Sequence, residues 1–126
     1  MIGNLLRVLA LAAVPAFLFS APPLAAAPYD GNWNMIAVTT NGHCGKIKIG
    51  LAISGNRISS TSGKFAFHRI HLVGRIYGSG QAKMRAVAGP RKAEGVGRFN
   101  RSRGVGTWSG TGTSGLCSGF WNATRV

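Results

Sequence analysis

Asp30 and Glu94 are the only carboxylic side chains in the 126-residue chain. Paired-carboxylate catalysis would have to use both of them. Asp30 stands at the entrance to an apolar run, a common turn position, and Glu94 lies among Arg91, Lys92 and Arg98, where it reads as an ion-pair partner. The imidazoles are His43, His68 and His71. His68 and His71 have the spacing of a helical metal pair, but in a strand residues three apart face opposite ways. No carboxylate or thiolate stands near them to complete a zinc sphere. Haem ligation by His43 or His71 is chemically available, without a Cys-x-x-Cys-His attachment motif. The serines lie in glycine-rich turns and lack the strand-to-helix context of a nucleophile elbow. The glycine-rich stretches lack the lysine and helix of a phosphate loop. These residues describe a non-enzymatic protein with no catalytic group, no metal and no cofactor.

The abundant reactive feature is positive charge. Fifteen Lys and Arg oppose two acids, a formal net charge of +13, and 45% apolar content excludes a disordered basic tail. The cations are spread along most of the chain, and the densest group is Arg91, Lys92, Arg98, Arg101 and Arg103. Such a surface attracts polyanions. The expected partners are anionic polymers: lipopolysaccharide, acidic polysaccharide or extracellular nucleic acid.

Residues 1–27 predict the compartment in which that charge works. Arg7 precedes an apolar stretch running to Phe19, followed by prolines and an alanine cluster. This is the layout of a secretory signal peptide. Pro15 interrupts the apolar stretch, which falls short of the roughly 20 residues that cross a bilayer. Cleavage is expected after Ala26 or Ala27, leaving a single β-rich domain over 28–126 in the periplasm or outside the cell. In an oxidising compartment Cys44 and Cys117 are most simply a disulfide, the alternative being two free thiols.

The elements that must carry these groups are strands. Glycine recurs too often after the leader for long helices: the longest glycine-free stretches are residues 32–41 and 64–73. Ile47, Ile49, Leu51 and Ile53 alternate with Lys46 and Lys48, and Ala82, Met84, Ala86 and Ala88 alternate with Lys83 and Arg85. Period two with cations outside describes half-buried antiparallel strands. Turn residues divide the chain into strands near 31–40, 45–54, 56–61, 64–69, 70–77, 81–88, 93–100, 103–109 and 117–124. Eight or nine short strands with tight links predict an all-β, up-and-down antiparallel meander closed or partly closed into a barrel. A two-sheet β-sandwich is the alternative.

Gly-x-Trp occurs at Gly31–Trp33, Gly106–Trp108 and Gly119–Trp121. Positions i and i+2 of a strand share a face, so each Trp has a glycine beside it, the large-beside-small pairing that a small barrel interior needs. Trp33, Trp108 and Trp121 are therefore expected as the aromatic core, with a ligand-lining role as the alternative. Tyr29-Asp30-Gly31-x-Trp33 at the start and Cys117-x-Gly119-x-Trp121-x-Ala123-x-Arg125 at the end resemble a family of short exported proteobacterial proteins common in rhizobia-like organisms. Some members carry a label connecting them with large exoproteins for haem utilisation or adhesion. The resemblance spans nearly the whole mature chain and implies the Cys44–Cys117 pairing and an all-β fold. Three functions are consistent with these features: a binding module for anionic partners, a periplasmic hydrolase inhibitor acting on a partner protein, and a small-ligand carrier, haem included.

Overall fold

The structure is a computed structural model and describes residues 27–126. The predicted leader, apart from Ala27, lies outside the described residues. Ten strands follow in order: β1 (Gly31–Asn41), β2 (Lys46–Ser54), β3 (Arg57–Ser62), β4 (Lys64–Phe65), β5 (His68–Arg69), β6 (His71–Ile76), β7 (Gln81–Ala88), β8 (Arg91–Phe99), β9 (Arg103–Gly112) and β10 (Gly115–Arg125). Eight of them close into an antiparallel barrel in the order β1-β10-β9-β8-β7-β6-β3-β2. This is the up-and-down meander expected from the alternation, closed, and closure leaves the barrel sheet itself without an edge strand.

Closure follows from β1, whose eleven residues pair with both β2 and β10. Its inward residues Trp33, Met35 and Ala37 are buried and alternate with half-buried or exposed ones. β2 does the same with Ile49, Leu51 and Ile53.

Residues 64–69 do not form a barrel strand, which corrects one of the predicted boundaries. Ala66 and Phe67 adopt positive φ of 49° and 68°, and the chain folds back as the two-residue strands β4 and β5. The excursion returns at its base through a 2.9 Å hydrogen bond from Ile70 N to Gly63 O. Above the short β3–β6 ladder, Ser60 takes over from the backbone. Its hydroxyl donates to Ile70 O at 3.1 Å and accepts from Leu72 N at 2.9 Å. Three further boundaries move. β8 begins at Arg91, because Gly89 and Pro90 alone make the turn, and β9 and β10 extend to Gly112 and Gly115.

The two ends of the barrel differ. At the closed end Phe99 is buried between Trp33, 5.2 Å away edge-on, and Trp121, 5.5 Å away, with Tyr29 against its outer side. The remaining space there belongs to Leu51, Ile53, Ile58, Ile76 and Ala82. At the opposite end the disulfide joins Cys44, in the loop between β1 and β2, to Cys117 on β10. Cys117 is buried, so the bridge ties that loop to the barrel rim.

Candidate functional site

The three tryptophans are structural first. Trp33 and Trp121 are buried, and Trp108 is half-buried against the core. Each indole N–H donates to a backbone carbonyl: Trp33 to Tyr29 at 2.9 Å, Trp108 to Val38 at 3.2 Å, and Trp121 to Val96 at 3.2 Å. A buried indole needs such a partner. Small neighbours make room both along and across the strands. Trp108 stands opposite Gly95 and Gly119, and Trp121 stands opposite Gly106. A Cβ on Gly106 would lie 2.6 Å from Trp121 Nε1, and one on Gly97 would lie 2.5 Å from its Cζ2.

Asp30 and Glu94 are not brought into one site. Asp30 Oδ1 accepts a 3.0 Å hydrogen bond from Gly55 N, pinning the entry to β1 onto the β2–β3 turn. Glu94 is exposed on the outer face of β8, directly opposite Arg85 on β7. His43, His68 and His71 are also exposed. Among the described residues, no three His, Cys, Asp or Glu side chains gather as metal ligands would.

The basic group expected from the sequence divides between the two ends of β8. Arg98, Arg101 and Arg103 are exposed around the β8–β9 turn at the closed end. Arg91 and Lys92 begin β8 at the open end. Seven residues of strand separate Arg91 from Arg98, about 23 Å at roughly 3.3 Å per residue. The two starting residues also diverge: Lys92 faces outward, whereas Arg91 shares the inward face with Ala93, Gly95, Gly97 and buried Phe99.

A denser cationic arrangement forms across strands. Arg57 on β3 stands directly opposite Arg75 on β6, which stands directly opposite Lys83 on β7. All three are exposed. Directly opposed residues have Cβ atoms about 5 Å apart, and like charges there repel. Arg85 follows Lys83 by two residues on the same face of β7, and Arg98, which pairs with Gln81, lies diagonally across on β8. Exposed Val73 and Val96 lie between these cations. Arg57, Arg75 and Lys83 lie 18 and 8 positions apart in sequence, so only strand register shows that they are neighbours.

The open end holds an apolar cavity of about 90 Å³. Met35, Ile49, Leu72 and Met84 form part of its wall, Trp108 and Trp121 another part, and Phe65 reaches it from the β4–β5 hairpin. Leu72, Ala86 and Ala93, successive partners across β6, β7 and β8, line another part, and two of these three side chains are small. Arg91 borders the cavity, and its Nε is buried without a hydrogen-bond partner among the described residues. A porphyrin is several times larger than the one ring or so that such a volume holds, and none of the three histidines lines it.

No family model matches the chain, and no curated protein matches it either. Among solved structures the chain is similar to a redesigned β-barrel, mFAP1, whose structure was determined bound to DFHBI. The TM-score is 0.50 at 14% identity, over 79% of this chain and 95% of that one. At that identity the likeness shows the fold alone: this chain is a small closed β-barrel.

Proposed function

We propose that this protein is an exported, non-enzymatic binding module that holds anionic polymers of the envelope or the extracellular space on its outer wall. The observation that carries this reading is the register of Arg57, Arg75 and Lys83. Three cations set directly opposite one another cost stability through mutual repulsion. A polyanion laid across the strands relieves that repulsion and gains counterion release. Arg98, Arg101 and Arg103 extend the same surface toward the closed end, giving a linear polymer a path along the wall. Lipopolysaccharide, acidic polysaccharide and nucleic acid present the repeated charge such a surface takes.

Affinity for heparin, used as a soluble polyanion, should fall linearly on a log–log plot against salt. Replacing Arg57, Arg75 and Lys83 together by Gln should flatten that slope by about two to three units. Replacing Lys46, Lys48 and Lys64 removes the same charge elsewhere and should flatten it less. Equal changes from the two triple variants, or no binding by the parent at about 0.15 M salt, would overturn the reading.

A second reading, inhibition of a hydrolase by a protruding loop, is favoured by the β4–β5 hairpin. Phe67 at its tip is fully exposed and flanked by Lys64, His68 and Arg69. Deleting the Phe67 side chain should then abolish inhibition of the target enzyme while leaving heparin affinity unchanged.

A further inference from the structure

We propose that the open end of the barrel binds a small apolar monocarboxylate, its ring or short acyl chain in the cavity and its carboxylate on the Arg91 guanidinium. The site is independent of the outer wall, since Arg91 points inward and the cations of the wall point out.

The apolar half of the site follows from the row of small residues. Ala86 and Ala93 pair side by side in the cavity lining, and their short side chains leave that part of the layer unfilled. The cavity walls therefore forgo dispersion contacts, a cost that a domain this small has little surplus to absorb. A closed apolar cavity of about 150 Å³ takes benzene. At about 90 Å³ and open at the rim, this one encloses most of a single ring or a few methylenes and leaves the polar end at the mouth.

The polar half is Arg91. A guanidinium does not deprotonate in a protein, and a buried N–H without an acceptor carries a desolvation penalty. The carboxylates of the chain do not meet this need. Glu94 is on the outer face opposite Arg85, and Asp30 is engaged by Gly55 at the closed end. A ligand carboxylate supplies both the acceptor and the countercharge, and carboxylate geometry suits the guanidinium fork. Phe65 and Trp108 offer flat apolar faces beside the same space.

The test uses the purified protein with its disulfide intact. Benzoate, hexanoate and the neutral benzyl alcohol are titrated at about 0.15 M salt, which screens the exterior cations. Binding is read from the methyl resonances of Ile49, Leu72 and Met84. Saturable shifts with benzoate or hexanoate are expected, and the tighter of the two identifies a ring or an acyl chain as the preferred body. Arg91→Met should weaken the carboxylates about 10- to 100-fold, the range of a hydrogen bond to a charged group, and leave benzyl alcohol within about twofold. Lys46→Met removes the same charge from an exposed position at the same end of the barrel that does not line the cavity, and should change the carboxylate Kd by less than about twofold. Ala93→Leu fills the row and should abolish binding of all three probes. If Ala93→Leu does not fold, the comparison of Arg91→Met with Lys46→Met still decides. Absence of saturable shifts up to about 10 mM carboxylate, well within the range for ligands this small, would overturn the site. So would equal losses in the Arg91 and Lys46 variants, or binding of benzyl alcohol alone.

Discussion

The guanidinium of Arg125 lies over the ring of Trp33, 4.6 Å from its centroid. The same side chain donates from Nη1 to Asp30 O, from Nη2 to Pro28 O at 2.7 Å, and from Nε to Arg101 O at 2.8 Å. Arg125 thus ties the segment entering β1 and the β8–β9 turn to the end of β10, and covers the closed end of the barrel. It is one of the cations, and it helps to seal the core, with three of its five N–H groups donating to backbone carbonyls.

Arg125→Met keeps an apolar stem over Trp33 but removes the cation and its hydrogen bonds. It should lower stability by about 1–3 kcal/mol. Urea unfolding followed by tryptophan fluorescence should show a lower midpoint. An unchanged midpoint would mean that the entering segment is held by other contacts.

Cys117→Ser should lower stability by about 2–5 kcal/mol, because the bridge closes a loop with a sequence separation of 73. Thiol titration of the unreduced protein in denaturant should find no reactive thiol, since among the described residues no cysteine is free.

Gly106→Ala places a methyl group against the Trp121 ring and the backbone of β8. Overpacking of this kind should cost about 1–3 kcal/mol. It should also alter the near-ultraviolet dichroism of the indoles, whereas alanine at Gly78, where a Cβ meets nothing within 4 Å, should leave both measurements nearly unchanged.

Ser60→Ala removes the hydroxyl that links β3 to the start of β6. Leu72 N and Ile70 O would lose that partner, at a cost of about 1–3 kcal/mol. Hydrogen exchange should accelerate at Leu72 more than at Leu51, which lies deep in the continuous β1–β2 ladder.

The proposed export predicts that N-terminal sequencing of protein recovered outside the cytoplasm starts at Ala27 or Pro28. Recovery of Met1 on exported protein would refute cleavage.

Strand content and the inward sets on β2 and β7 were legible from period-two alternation, because it is a local property of a strand. Compartment reasoning and the resemblance both pointed to the Cys44–Cys117 pairing, which the structure contains. Register was not legible. Arg57, Arg75 and Lys83 become neighbours only when β3 pairs with β6 across the β4–β5 excursion, and no short sequence window spans that contact. The direction of Arg91 depended on whether β8 began at residue 91 or 93. Starting β8 at Arg91 puts that side chain on the inward face, a consequence the linear basic group concealed. The cavity is equally non-local: Ala86 and Ala93 lie apart in sequence, and they line one hollow because antiparallel pairing of β7 with β8 sets them side by side. Alternation along one strand is decided by backbone pleat, whereas charge clusters and cavities arise between strands, where register and closure set the neighbours.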